Sequence, residues 1–204
     1  MEELFELQMT LQHKVFGKRG TPAWDEIRND SGPLKQIWVE NMRKALFSEF
    51  TEFLEEITSP VRDRDNLAVE LVDMMHFLIA LSDLVGVPPK EAEETFVQGA
   101  VLDEGGPSQE NMIISMIMTL NNLQNACKWK WWSDGGGYKP DNAIAATYCL
   151  WFALGRLSAM YTDLSFLGIK RVFKEKMAVN HARQDNGYNE DHKIKDDKHI
   201  KAIE

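Results

Sequence analysis

Apolar side chains recur every three or four positions through most of the chain, and this spacing is typical of amphipathic α-helices. The pattern is clearest over residues 34–56 and 67–85, where charged side chains occupy the positions between the apolar ones. A further helix is expected to begin at Pro89, because proline suits the first helical turn and acidic residues follow it. The same period predicts three more helices, over residues 108–130, 141–161 and 167–183.

Clusters of glycine and proline separate these segments and predict the turns between them. No segment shows the short alternation of apolar and polar residues that is typical of a β-strand. The sequence therefore predicts an all-α fold, a multi-helix bundle. At 204 residues the chain suits a single domain, which we place at residues 1–188, and the charged stretch 189–204 is expected to be a flexible tail.

Composition excludes several classes of function. The 23 basic and 32 acidic side chains give a net charge of −9, so a nucleic-acid partner is not expected. Two cysteines, Cys127 and Cys149, and a start without signal-peptide features favour the cytoplasm, or a host cytoplasm if a phage encodes the chain. The most apolar stretch, 143–154, is shorter than the ~20 residues that cross a bilayer. No membrane is therefore expected as a partner, and this stretch is interpreted as a buried helix.

Two pairs of carboxylates are the strongest candidates for chemistry. Glu49 and Glu52 lie three positions apart on one helical face, and Glu70 and Asp73 repeat that spacing on the next helix. The short connection makes the two helices antiparallel neighbours, so the four side chains can converge. Like charges in a partly buried groove hold protons or recruit hard divalent cations. We therefore predict a four-carboxylate metal site between two antiparallel helices, with Mg²⁺ as the natural ion.

Each acidic pair also has a simpler interpretation. Acids three positions apart on a surface helix are usually only solvated. The second pair, however, lies in the dense apolar segment ELVDMMHF, where an acid needs a partner. Asp73 and His76 approximate half of a di-iron motif, but such a site needs two Glu-x-x-His elements and the chain offers one approximation.

The acidic pairs are part of a longer pattern. Glu-x-x-Glu at 49–52, seventeen residues, and Glu-x-x-Asp at 70–73 together resemble the metal motif of the all-α nucleoside triphosphate pyrophosphohydrolases. That superfamily holds dimeric dUTPases, phage dCTP/dUTP pyrophosphatases and MazG-like enzymes. Residues 176–188, KMAVNHARQDNGY, are similar to the K-x-x-x-N-x-x-R-Q-x-x-G-Y signature of its dUTPase and phage dCTPase branches. Gln12 matches the place of a base-contacting glutamine in the same family.

The resemblance implies magnesium-dependent hydrolysis of a nucleoside triphosphate to the monophosphate and pyrophosphate. Two or three Mg²⁺ ions, with Mn²⁺ as a substitute, would be held by the four catalytic acids Glu49, Glu52, Glu70 and Asp73. The triphosphate would be bound by Lys176, Asn180, Arg183, Asn186 and Tyr188. The base and sugar would be bound by Gln12, His76 and Phe77. Either Glu49 or Glu52 would take the proton of the attacking water, and the sequence does not choose between them.

The family also implies a homodimer or a higher homo-oligomer. The sequence supports this independently, because six tryptophans and an apolar helix over 143–154 exceed the apolar surface that one small bundle readily buries.

The expected base pocket departs from the dUTPase pattern. Phe16 stands where those enzymes commonly have an asparagine, and 55–57 lacks their Lys-x-Trp element. Trp38 has a placement similar to that in the phage dCTP/dUTP pyrophosphatases. These features favour an enzyme that accepts dUTP, dCTP or both. The alternatives are a pyrophosphohydrolase of a purine or modified nucleotide, and a non-catalytic protein that binds a partner through its tryptophan-rich surface.

Overall fold

The computed structural model describes residues 1–18, 20–101, 106–130, 132–187 and 197–203, and every regular element in these ranges is an α-helix. In chain order the helices are α1 (Glu2–Val15), α2 (Trp24–Asn29), α3 (Pro33–Thr58), α4 (Arg64–Val85), α5 (Pro89–Ala100), α6 (Gln109–Ala126), α7 (Pro140–Tyr161) and α8 (Phe166–Asp185). The predicted all-α class is confirmed. The helices α3 to α8 correspond to the segments that the hydrophobic period predicts.

Three elements differ from the prediction, and one of them is α1, which was not among the segments predicted from the hydrophobic period. The short α2 was not predicted, because six residues are too few to show a helical period, and it is held by the buried side chains of Trp24 and Ile27. The helix α6 ends at Ala126 instead of continuing to residue 130. Cys127 has an extended backbone, and the Lys139 N–H donates to the Ala126 carbonyl oxygen at 2.8 Å. The chain after α6 therefore returns to the end of that helix before α7 begins.

The helices α3 and α4 form the most extensive helix pair and carry the four predicted acids. Only residues 59–63 connect them, so they are antiparallel, as predicted. Asp63 caps α4 by accepting hydrogen bonds from the N–H groups of Asp65 and Asn66 at 3.0 and 3.2 Å. Arg62 donates to the Ile57 carbonyl oxygen at 3.0 Å and satisfies the end of α3. These contacts determine where the two helices end, and hence how their acidic faces align.

The helix α4 lies at the centre of the bundle and contacts α1, α2, α3, α7 and α8. Most of its side chains are buried, and those of Leu71, Met74 and Met75 have no exposed surface. Burying apolar surface stabilises the fold by about 25 cal/mol per Å². Glu70 and Asp73 therefore project from a mostly buried helix at the edge of the core.

The helices α5 and α7 pack closely because each has a glycine at the crossing. A Cβ atom on Gly99 would lie 2.1 Å from the Phe152 carbonyl oxygen, and one on Gly155 would lie 2.0 Å from that of Phe96. Both distances are far inside van der Waals contact, so any larger residue would force the helices apart.

The helix α7 is long and apolar enough, by length and composition, to cross a membrane. In the structure 61% of its most apolar window is buried inside the bundle, and Trp151 and Leu154 are fully buried. Core helices commonly have this composition. The observed burial agrees with the interpretation of residues 143–154 as a buried helix.

The end of the chain contacts the bundle. Of the tail expected over 189–204, residues 197–203 are described, and Ile200 is buried against the core. Asp65 accepts a hydrogen bond from the Ala202 N–H at 2.7 Å, and it forms an ion pair with Lys201 at 2.8 Å. The guanidinium of Arg171 donates to the carbonyl oxygens of residues 201 and 203. Residues 197–203 thus pack on the bundle, and the flexibility expected of the tail as a whole stays a prediction.

Candidate active site

Three of the four predicted acids meet at the α3–α4 interface. Glu49 from α3 and Glu70 and Asp73 from α4 each place one carboxylate oxygen within 4.8 Å of the others. Glu52 lines the same cavity but lies outside this tight group. The spacing of the acids in the sequence thus identified the cluster, and the structure brings three of them into direct proximity.

The environment of the cluster favours protonated carboxylates. Burial, followed by the charges of Asp73 and Glu52, raises the pKa of Glu49 to about 8. Burial and the charge of Asp73 raise the pKa of Glu70 to about 7. Close acids that share a partly buried volume cannot all ionise without a cation. A cation close to these carboxylates would therefore stabilise their ionised forms.

Lys176 supplies part of that charge from α8. Its side chain is only 4% exposed, and its Nζ lies 2.8 Å from Asp73 Oδ2 and 2.6 Å from Asp197 Oδ2. Burial alone would lower the pKa of Lys176, but the two carboxylates outweigh it and raise the pKa above its ordinary value. Burial raises the pKa of Asp73, and Lys176 opposes that rise. A buried ammonium thus connects the acid cluster to the end of the chain.

The other predicted phosphate-binding residues lie on or near α8. Asn180 and Arg183 line the cavity together with Lys176, as their spacings of three and four residues predict. Arg183 Nη2 lies 3.1 Å from Asp197 Oδ2. Asn186 terminates α8 and is not among the residues that line the cavity, while Tyr188 lies outside the described residues. The roles predicted for these two residues stay predictions.

The opposite end of the cavity carries the predicted base-binding residues. Gln12, His76 and Phe77 line it, and His76 Nδ1 lies 2.8 Å from Gln8 Oε1. Because an amide oxygen only accepts hydrogen bonds, this contact places the ring proton on Nδ1. Burial lowers the pKa of His76 to about 3, so the imidazole is neutral. Its ring also packs on Phe173, with the centroids 4.0 Å apart.

Phe16 completes the apolar wall of this end. Its ring makes edge contacts with Trp24 and Trp38, with centroids 4.9 and 4.7 Å apart. The residue is nearly buried and lines the cavity. Phe16 thus belongs to the apolar lining of the cavity, and its place beside a base stays a prediction.

The cavity therefore has two chemically different ends. Its volume is about 390 Å³, within the range of small-molecule sites. One end gathers the acids and the cations of α8, and the other is mostly apolar with a few amide groups. This arrangement suits a ligand with a planar, weakly polar part and a strongly anionic part.

Two site residues were missed by sequence reasoning. Gln8 precedes Gln12 by four residues, so helical spacing alone places both on one face of α1 and could have identified it. Asp197 lies among other charged residues near the end of the chain, and no spacing or motif distinguishes it. Its position depends on the tertiary packing of residues 197–203.

A comparison with protein families matches residues 1–98 to the family described as dUTPase. Over these residues the chain is similar to the dUTPases. A search of curated proteins finds none that matches the chain. The helical architecture and the acid cluster agree with the all-α branch of the dUTPases, and the family is one of nucleotide pyrophosphatase hydrolases.

The dUTPase match covers only part of the cavity. It extends from α1 to near the end of α5, so it includes all four acids and the three residues expected to bind base and sugar. Lys176, Asn180 and Arg183 lie beyond it, on α8. These three residues nevertheless line the same cavity as the four acids, which lie in the matched part of the chain.

Proposed function

We propose that this chain is a magnesium-dependent pyrophosphohydrolase of deoxypyrimidine triphosphates. It would cleave the α–β phosphate bond of dUTP, dCTP or both, giving the monophosphate and pyrophosphate. The observation that carries the proposal is the shared cavity, in which an acid cluster and the cations of α8 face an apolar end with amide groups. The two free cysteines suit a cytoplasmic location.

The acid cluster fits a hard divalent cation. Its donors are carboxylate oxygens, which Mg²⁺ and Mn²⁺ prefer. Burial, together with the neighbouring carboxylates, raises the pKa values of Glu49 and Glu70, and a bound cation would favour their ionised forms. We propose that two or three Mg²⁺ ions are held by Glu49, Glu52, Glu70 and Asp73. Bound Mg²⁺ would neutralise phosphate charge and make a coordinated water more acidic.

Side chains of the protein would bind the phosphates and accept the proton of the attacking water. Lys176 and Arg183 would hold the phosphate oxygens, Lys176 as a point charge and Arg183 through paired N–H donors. Glu49 or Glu52 would take the proton of the attacking water.

The base end supports relaxed pyrimidine selection. The Gln12 amide has both a donor and an acceptor, so it can pair with uracil or cytosine by rotating its terminal group. Phe77 offers a ring face beside it, and the ring of Phe16 cannot distinguish an oxygen from an amine. We therefore expect dUTP and dCTP to be hydrolysed with kcat/KM values within about two orders of magnitude of each other.

The test is kcat/KM for a panel of nucleoside triphosphates with Mg²⁺, measured by pyrophosphate release. A preference above about 10⁴ for either pyrimidine would show that the pocket is fully selective. A preference for a purine or a modified base would assign the alternative substrate. No turnover on any nucleotide would favour the non-catalytic interaction protein.

A further inference from the structure

The end of the chain places a carboxylate among the groups proposed to bind phosphate. Asp197 Oδ2 lies 2.6 Å from Lys176 Nζ and 3.1 Å from Arg183 Nη2, and Asp197 lines the same cavity. Its side chain is 19% exposed, so the contact is largely shielded from water. The cations with which a phosphate oxygen would pair thus already contact an oxygen anion of this chain.

This contact is part of a built structure. Ile200, three residues after Asp197, is buried with 1% of its surface exposed. The Ala202 N–H and the Lys201 ammonium both bind Asp65 at the start of α4. The Arg171 guanidinium of α8 binds two backbone carbonyl groups of the same segment. The segment is therefore attached to two of the helices that line the cavity, α4 and α8.

Asp197 does not belong to the tight acid cluster. Among the residues that the structure describes, the oxygens within 4.8 Å of one another come from Glu49, Glu70 and Asp73. Asp197 is directed instead to Lys176 and Arg183, whose positive charge holds its pKa below the ordinary value although burial opposes this. Asp197 is therefore an anion held by two positively charged side chains.

We propose that the Asp197 carboxylate competes with the phosphate groups of the substrate for Lys176 and Arg183. This carboxylate occupies the phosphate-binding position of Lys176 and Arg183, and a bound polyphosphate must displace it. This inference rests on the proposed function for the assignment of those two residues. A carboxylate that must be displaced weakens the binding of every phosphate ligand, including the pyrophosphate product, and so favours product release.

The experiment measures binding of inorganic triphosphate by isothermal titration calorimetry on the full chain, at a fixed Mg²⁺ concentration. Asp197→Asn removes the charge at nearly unchanged volume, and Lys176 keeps its partner Asp73 at 2.8 Å. We expect the variant to bind triphosphate about tenfold more tightly than the unmodified chain, the equivalent of one charge-assisted hydrogen bond.

The matched control is Asp163→Asn. Asp163 is 83% exposed, pairs with Arg64 and does not line the cavity. It removes the same charge from the protein, so it reports the effect of net charge alone. Equal tightening by both variants would overturn the proposal.

Weaker binding by Asp197→Asn would also overturn it, because Asp197 would then be a positioning residue that holds Lys176 and Arg183 in place. Unchanged binding would show that its carboxylate does not compete.

A second measurement uses the unmodified chain and does not depend on the variant folding. Hydrogen exchange of the backbone amides over residues 197–200 is followed with and without inorganic triphosphate. Displacement of Asp197 predicts faster exchange in the presence of triphosphate, and slower exchange contradicts it. Neither readout needs nucleotide hydrolysis. The two proposals can therefore fail separately. If the unmodified chain cleaves no nucleotide, the proposed function is refuted; if Asp197→Asn still binds triphosphate more tightly than the unmodified chain, this inference stands.

Discussion

At the scale of single residues, the candidate site keeps acids close together at a cost in stability. Glu49 and Glu70 ionise less readily in the folded chain than in the unfolded chain, because burial and neighbouring acids disfavour their charged forms. Lys176 offsets part of this repulsion at Asp73. Such uncompensated charge is typical of sites that bind a cation or move a proton.

The first prediction concerns Glu49→Gln in the absence of divalent metal. The folded chain binds more protons than the unfolded chain between pH 4.5, the ordinary pKa of this group, and about pH 8. Stability from this group therefore falls as the pH rises through that window. Glutamine resembles the protonated form, so the variant should be more stable than the unmodified chain by about 2 kcal/mol at pH 9. The difference should disappear near pH 4.5.

Thermal unfolding with a chelator present, across this pH range, measures the effect. Glu55→Gln is the matched control, since Glu55 is exposed on the same helix and should change stability little at any pH. A pH-independent difference for Glu49→Gln would refute the assigned electrostatic cost. Added Mg²⁺ should stabilise the unmodified chain more than Glu49→Gln.

The second prediction concerns turnover. Glu52→Gln should lower kcat by about 10²- to 10⁴-fold, because it removes a proposed metal ligand and candidate proton acceptor. Circular dichroism should show the same helical content, since the side chain lies at the cavity and not in the core. A near-normal rate in Glu52→Gln, compared with Glu55→Gln, would exclude Glu52 from the catalytic set.

Sequence spacing was sufficient for the residues that share a helix face. Glu49, Glu70 and Asp73 could be identified because i, i+3 spacing and a short interhelical loop determine where their side chains lie. Asp197 could not, since its contact with Lys176 depends on how the end of the chain packs. A buried Ile200 in a charged stretch contributes to this packing, and hydrophobic periodicity does not detect a single residue.

At the scale of helices, the fold depends on one unusually close crossing. The backbones of α5 and α7 touch at Gly99 and Gly155. Because neither glycine has a side chain, α5 and α7 approach more closely and make more van der Waals contacts than larger residues would allow.

The third prediction is that Gly155→Ala destabilises the chain by about 1 to 3 kcal/mol through overpacking. An added Cβ atom would lie 2.0 Å from the Phe96 carbonyl oxygen, which is backbone and cannot move alone. Gly137→Ala is the matched control, because its Cβ atom would meet nothing within 4 Å. Urea unfolding of both variants checks this. Equal midpoints would mean that the two helices tolerate a wider separation.

Helix positions could be predicted where the apolar period extends over several turns. It located α3 and α4 because each repeats its apolar face over more than 20 residues. It could not locate α2, which has six residues, or the end of α6, where a backbone hydrogen bond from Lys139 determines the path of the chain. Short elements and helix ends depend on tertiary contacts that a single segment does not encode.

At the scale of the whole molecule, several large apolar side chains remain at the surface. They lie on α3 and α6 and in the loop after α6, and include Ile37, Phe47, Ile114, Met118 and Trp132. Such side chains are typical of surfaces that contact another chain when they form a contiguous patch.

The fourth prediction is therefore a homodimer or a higher homo-oligomer. Light scattering at micromolar concentration should give at least twice the mass of one chain, because association would remove these side chains from water. A single-chain mass at that concentration, unchanged by lowering the salt, would contradict the prediction.

We propose that the acid cluster and the α8 cations form one site that hydrolyses a nucleoside triphosphate between its α and β phosphates. The most direct measurement is product analysis by ³¹P NMR after incubation of the full chain with dUTP or dCTP and Mg²⁺. We expect monophosphate and pyrophosphate in equal amounts, with both absent when Mg²⁺ is chelated or Asp73 is replaced by Asn. Release of orthophosphate and a diphosphate, or equal product from Asp73→Asn, would contradict it.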